Sequence, residues 1–316
     1  MADTAPAGPG LHQPSVADVH AVIVNHNSGR RLGPLLDALL PQVRSAAVVD
    51  NGSTDGSLDD AEGREAVRVV RNPDNRGFAA AANQGAATGG AEWLLFVNPD
   101  IHLDPGQVAT LVRDAPGDVA AFAPLQVDER GRPRSETGGY DPTLLRYLVW
   151  AVLPVRWHGR SGPWLAPPFP SHDEELGWVS GALLAIRRPV FERLGGFDER
   201  FFLYHEDVDF CRRARRDGYR ILCRPAVRIH HEVAHGDPAR RVLSGRRSVE
   251  SLALDFAGWR LRALGAVLGL GFGLRALFAS GTTRQLARAV IPHCRALMAG
   301  RSPHREGMSE GPPPPG

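Results

Sequence analysis

Three carboxylates fall within four residues, Glu206-Asp207-Val208-Asp209, directly after the apolar run Phe201-Phe202-Leu203-Tyr204. Acidic side chains suit the first turn of a helix, where free N–H groups and the macrodipole favour negative charge. The residues that follow fit such a helix. Phe210, Cys211 and Ala214 share an inward face, Arg212, Arg213, Arg215 and Arg216 fill the C-terminal half, and Gly218 suits a left-handed stop. On its own this is a well-capped surface helix. Its setting adds a second reading, because an aromatic wall and the turn Gly195-Gly196-Phe197-Asp198 come just before it. Acids at a helix start beside such a wall are what a general base in a cleft requires.

A second set of polar residues recurs at a regular interval. Asn25, Asp50, Asn75 and Asp100 each stand just past a short apolar run. Asp50 can accept a hydrogen bond from the imide N–H of uracil or thymine; an Asx-turn or an N-cap for the next helix, within DNGSTDGS, is the plainer alternative. Asp100, in Asn98-Pro99-Asp100, offers carboxylate oxygen to Mg²⁺ or Mn²⁺, ions that usually take one or two carboxylates plus diphosphate oxygens. His230-His231 follows the strand-like Val227-Arg228-Ile229, and either imidazole can complete the shell of such an ion; a structural histidine pair is the plainer alternative.

The elements that must position these groups alternate. His20–Val24, Ala46–Val49, Val67–Val70 and Trp93–Val97 are short runs dominated by apolar residues, read as buried strands. Between them, Arg30–Leu40 has helical spacing, and an Ala-rich helix runs through Asn83 and Gln84 to Gly89-Gly90. This predicts an α/β fold with a mostly parallel central sheet covered by helices on both faces. Ligands bind beyond the C-terminal strand ends of such a sheet, which is where the four polar residues lie. There is no G-x-G-x-x-G after the first strand, and all 37 basic residues are Arg, so a dinucleotide-binding dehydrogenase and a P-loop enzyme are disfavoured. Three scattered cysteines in 316 residues disfavour a disulfide scaffold or zinc site.

Taken together, V-N-H-N-S, V-V-D-N-G-S-T-D-G-S, N-x-G-F-x-x-x-x-N-x-G, F-V-N-P-D, W-V-S-G-A and G-G-F-D-E-R-F-F-L-Y-x-E-D-V-D resemble the family 2 inverting glycosyltransferases of the GT-A fold, and among them the rhamnosyltransferase-like subgroup. The resemblance covers about residues 19–236. It implies a nucleotide-diphospho-sugar donor, with dTDP-L-rhamnose first and another UDP- or dTDP-sugar second, and a glycan or polyprenyl-diphosphate-linked acceptor. It places Asp50 on the base, Asn98 near the ribose, and Asn25, Asn75 and Arg76 on the donor side. Asp100 goes to the Mg²⁺ or Mn²⁺ ion, with His230 or His231 as its late ligand. Asp207 becomes the catalytic base, with Glu206, Trp178 and Gly181 along the acceptor side. Asn98 stands where the family's first Asp of D-x-D stands, leaving one carboxylate for the ion. A catalytically silent GT-A binding or assembly subunit is the rival reading; retention of Asp50, Asp100, Glu206 and Asp207 argues against it.

Flanking this domain, residues 1–18 read as a disordered leader without a signal peptide's basic and apolar regions. Residues 144–170, with three Trp, form an aromatic, Pro-rich insert beside the acceptor side. Residues 237–300 form a basic helical extension, and 301–316 a disordered tail. From Gly236 to Arg305 there are twelve Arg against Asp237, Glu250 and Asp255. Ala263–Leu274 is apolar between Arg262 and Arg275, shorter than the ~20 residues that span a bilayer. The extension is therefore expected to lie on a membrane surface or against the domain. The expected location is cytoplasmic, at the inner face of the plasma membrane; a homodimer is allowed and nucleic acid is not an expected partner.

Overall fold

The computed structural model describes residues 17–152, 172–231, 238–279 and 281–301. The expectations for the leader, for most of the insert and for nearly all of the tail fall outside these residues.

The first half of the chain builds four parallel strands and the helices that join them. These are β1 (Ala17–Asn25), α1 (Leu32–Leu39), β2 (Val43–Asn51), β3 (Val67–Asn72), α2 (Phe78–Ala86) and β4 (Trp93–Val97). They are followed by β5 (Ile101–His102), α3 (Gln107–Val112), β6 (Val119–Val127), β7 (Gly138–Gly139) and α4 (Leu144–Val152). Next come β8 (Glu174–Glu175), β9 (Trp178–Val179), β10 (Leu183–Arg187), α5 (Arg188–Arg193), α6 (Glu206–Arg216) and β11 (Arg220–His231). The C-terminal region is helical: α7 (Pro238–Leu252), α8 (Trp259–Phe278) and α9 (Gly281–Met298).

The main sheet runs β3-β2-β1-β4-β10-β6-β11-β5, with β8 on the flank of β11; β7 and β9 form a separate ribbon. β1, β2, β3, β4, β6 and β11 point one way, while β10, β5 and β8 oppose them, so the sheet is mixed. Side-chain alternation divides the core in two. Val19, Ala21 and Ile23 of β1 pack with α1 and α3, and Val22 packs on the other face with α2, α5 and α6. Covered on both faces, the inner strands can be apolar throughout.

A third core lies in the C-terminal region, where Tyr147 of α4 joins Val249, Leu252, Leu264, Leu268, Val290 and Leu297. α8 spans 20 residues, longer than its arginine-bounded core suggested, because Arg262 and Arg275 both lie inside the helix. It is long and apolar enough to cross a membrane, and 28% of the stretch is buried. All three cysteines are buried free thiols.

Candidate active site

Parallel register brings two of the sequence-predicted site residues together. Asn25 and Asp50 are direct neighbours across β1 and β2. Asn25 is wholly buried, and its side-chain amide lies 2.8 Å from Asp50 Oδ1, 3.1 Å from Ser53 Oγ and 2.9 Å from Ser57 Oγ. Its own Oδ1 accepts from Ser28. Asn25 is thus committed to this internal network and holds the Asp50 carboxylate in place. Ser53 N–H, three residues on, donates to Asp50 Oδ2 at 3.1 Å, so the carboxylate also braces the turn that follows β2. Each oxygen has a second lone pair, so the carboxylate can still accept a base N–H.

Next to it stands an amide network with no counterpart among the residues singled out from sequence. Asn72 Nδ2 donates to Asn51 Oδ1 at 2.8 Å and to Gln84 Oε1 at 2.9 Å, and Asn51 Nδ2 reaches Gly77 O at 3.0 Å. Asn75 uses its Oδ1 to accept from Gly77 N–H at 2.9 Å, shaping the turn; Arg76 is exposed beside it.

The N-x-G-F-x-x-x-x-N spacing has a mechanical meaning. Gly77, at φ +86°, sits where a Cβ would come within 2.6 Å of Phe202 O, and Phe78 N–H donates to that oxygen at 2.7 Å. Eight residues after Asn75, Asn83 pairs its amide with both N–H and C=O of Phe197, each at 2.9 Å. The donor-side turn is therefore bolted to the segment leading into Glu206.

That segment is further fixed by aromatic rings packed in tilted and edge-to-face pairs. Phe96, Phe191, Phe197 and Phe210 lie 4.8–5.7 Å apart, contacts of about 0.5–1.5 kcal/mol each beyond area burial. Arg213 donates to the carbonyls of Leu194 and Gly196 at 2.8 Å each and to Asp209 at 2.7 Å. Tyr204 and His205 then both adopt left-handed backbone, φ +68° and +71°. Such conformations in non-glycine residues cost on the order of 1–3 kcal/mol each and persist only where the surroundings impose them. Burial drives the His205 imidazole down to a pKa of about 3, so it is neutral.

α6 begins immediately afterwards. Glu206 is buried and Asp207 half-buried. Asp207 Oδ2 accepts from Gly181 N–H at 2.8 Å and Oδ1 from Val208 N–H at 2.8 Å. Burial raises the Asp207 pKa, opposed by these two amides. Burial, and then the charge of Asp207, push Glu206 well above the carboxylate range. Trp178, on β9, is 7% exposed and packs in the core behind this corner.

Asp100 and His231 meet because β5 pairs with β11 in a register that sets His231 opposite Ile101. His231 Nε2 lies 3.2 Å from Asp100 Oδ1. His230 alternates to the exposed face, opposite His102, so of the two candidates only His231 faces Asp100. Asn98 is held in the same turn by its backbone, donating to Ala182 O at 2.8 Å. Sequence reasoning missed Gln126, a buried polar residue inside an apolar strand. Its Nε2 donates to Glu136 O at 3.2 Å, which leaves Oε1 facing His231 Nδ1 at 3.4 Å. The network assigns the proton to Nδ1. Nε2 then points a lone pair at a carboxylate oxygen, an arrangement that calls for a cation or a proton between them. The donor set, one oxygen and one imidazole nitrogen, fits Mg²⁺ or Mn²⁺ with diphosphate oxygens completing the shell. Among the described residues no third His, Cys, Asp or Glu converges there.

The pattern of Glycosyl transferase family 2 matches residues 21–167. Over 263 residues, 75% of this chain and 85% of the other, the sequence is 31% identical to the N-acetylglucosaminyl-diphospho-decaprenol L-rhamnosyltransferase of Mycobacterium tuberculosis. The chain belongs to glycosyl transferase family 2. It is also 27% identical over 146 residues to the rhamnosyltransferase WbbL of Escherichia coli, covering 46% of this chain and 53% of that one. Its fold is that of a mannosyltransferase from Pyrobaculum calidifontis solved in complex with GDP-Man and Mn²⁺, with a TM-score of 0.55, 18% identity, and 91% and 87% of the two chains covered. The fold is GT-A, and the enzyme is a glycosyltransferase.

Proposed function

We propose that this glycosyltransferase moves L-rhamnose from dTDP-L-rhamnose, with inversion, to a hydroxyl of a polyprenyl-diphosphate-linked glycan in cell-envelope polysaccharide synthesis. The observation that carries the chemistry is that two acids are differently prepared. Asp207 is a partly buried base fixed by the Gly181 amide, and Asp100 is a carboxylate paired with a metal-type histidine. The names of the relatives support the sugar and the lipid-linked acceptor.

In this reading Asp50 accepts the imide N–H of thymine. Asp100 and His231 hold the divalent cation, which when bound offsets charge on the departing diphosphate. Asp207 takes the proton of the acceptor hydroxyl while the hydroxyl oxygen bonds to the anomeric carbon and the carbon–diphosphate bond breaks, releasing dTDP. A single in-line displacement of this kind inverts the anomeric centre.

The enzyme works at the inner face of the plasma membrane in this reading. Leu277 and Phe278, 71% and 84% exposed, end an apolar helix beside arginines, a composition suited to an interfacial helix on anionic lipid.

The test is thermal stabilisation by dTDP-L-rhamnose, UDP-glucose, UDP-galactose and GDP-mannose, each with Mn²⁺ or Mg²⁺. A ligand at about 100 times its dissociation constant adds roughly 2.7 kcal/mol. A metal-dependent shift with dTDP-L-rhamnose alone is expected. A shift with another donor only would replace rhamnose, and no shift with any would favour a silent binding subunit.

A further inference from the structure

The turn in front of Glu206 and Asp207 is gripped from the C-terminal region. Ser251, 2% exposed, donates its hydroxyl to Leu203 O at 2.8 Å. The Tyr204 hydroxyl meets Ser244 Oγ at 3.0 Å, and the Arg247 guanidinium lies over the Phe202 ring at 4.8 Å. Residues 244, 247 and 251 stand three and four apart, so a single face of α7 makes all three contacts. Nearly two turns into α6, Arg212 pairs with Asp255 at 2.8 Å; the Asp255 side chain is 5% exposed and belongs to the turn just after α7. Four successive residues of the turn, Phe202 to His205, thus include three held by α7 and two in left-handed backbone. A turn of that shape needs an external hold, and the helix supplies it.

We infer that α7 is a positioning element for sugar transfer: by fixing Leu203 and Tyr204 it sets where the Asp207 carboxylate stands, which makes Ser251 and Ser244 positioning residues. The C-terminal region is then part of the catalytic unit. The inference rests on Asp207 acting as the base.

Two variants test it in the full chain, Ser251→Ala and Tyr204→Phe, each removing one oxygen atom. Hydrogen exchange of the 203–209 amides is read together with kcat and donor KM. Both variants are expected to exchange about tenfold faster in that segment with β1–β4 unchanged, and kcat to fall about tenfold with donor KM unaltered. Faster exchange with wild-type kcat would overturn the positioning role. Unchanged exchange would show that α7 does not hold the turn. Loss confined to KM would move α7 to donor binding and also overturn it. A wild-type protein that transfers no sugar would instead remove the reading beneath, while the exchange arm would still decide the grip itself.

Discussion

The backbone N–H of Gly181 donates to Oδ2 of Asp207 at 2.8 Å, and a Cβ at position 181 would stand 3.6 Å from that same oxygen. The absent side chain leaves the carboxylate face open, while the amide aims it. Space exists for one methyl at ordinary contact distance, so what glycine protects here is access to Asp207, not the packing of the corner.

Asp207→Asn should cost about 10²–10⁴-fold in turnover, the usual worth of a general base, while donor-dependent thermal stabilisation persists. Equal turnover would take Asp207 out of the mechanism. Stability should move the other way. Burial raises the native pKa of Asp207 above its unfolded value, so the native state holds the proton more tightly. Native stability is then lost as pH rises from the unfolded pKa through the native one. The amide does not titrate. D207N should therefore gain relative to wild type as pH rises through that window. The gain comes on top of a fixed cost, because asparagine offers one acceptor oxygen to the N–H groups of Gly181 and Val208; thermal unfolding at a series of pH values will show the relative gain.

Burial, and then the charge of Asp207, push Glu206 well above the carboxylate range, and its Oε2 finds no hydrogen-bond partner among the described residues. Asp207 accepts two backbone N–H groups that favour its charged form, which makes Glu206 the member of the pair expected to keep its proton. Glutamine copies a protonated glutamic acid, so Glu206→Gln should retain most turnover and flatten the fall in stability with rising pH, whereas Glu206→Ala should lose about tenfold or more in kcat. A Gln variant as dead as the Ala variant would show that Glu206 works as an anion.

Much of this corner is legible in sequence, because strand ends declare themselves. Asn25, Asp50 and Asp100 follow uninterrupted apolar runs, and three carboxylates at a helix start need no tertiary information. What sequence hides is pairing between distant segments. The antiparallel β10, between β4 and β6, makes the sheet mixed, and its apolar run looks like any parallel strand. The choice of His231 over His230 depends on a two-residue strand pairing with β11, invisible to periodicity. Gln126 is a single polar residue within β6, and its meaning appears only when His231 lies beside it. Asn83 was visible in its motif, but its bond to Phe197 spans 114 residues.

Gln126→Leu tests the assigned tautomer. Without the acceptor at Nδ1, the His231 ring loses its orientation. Outer-shell changes of this type typically cost 10–100-fold in metal affinity, so the Mn²⁺ concentration giving half-maximal activity should rise by about that factor. Gln126→Glu should keep or strengthen the hold. Wild-type metal dependence in the Leu variant would mean that His231 is oriented by something else.

Gly77→Ala places a methyl 2.6 Å from Phe202 O and forces a left-handed φ on alanine. Backbone oxygen cannot rotate away, so the donor turn and the turn before Glu206 must separate. A loss of about 1–3 kcal/mol is expected from the conformation alone, with the clash added, and activity should fall with it. Wild-type melting behaviour would show that this contact does not carry load.

The helical hairpin gives the last prediction. Gly265 of α8 lies so close to α9 that a Cβ would meet Cys294 O at 2.8 Å and Met298 N at 2.6 Å, so one face of α8 is committed to its partner helix. Leu270, Leu277 and Phe278 stand outside that contact, 46%, 71% and 84% exposed. If this face rests on lipid, Leu277→Asp with Phe278→Asp should abolish co-sedimentation with anionic phosphatidylglycerol vesicles without lowering the melting temperature, because neither side chain belongs to the buried core of the hairpin. Gly265→Leu should instead unfold the hairpin and lower the melting temperature. Retained vesicle binding in the double Asp variant would assign the exposed face to another use, and reduced binding at high salt in the wild type would give the arginines their share.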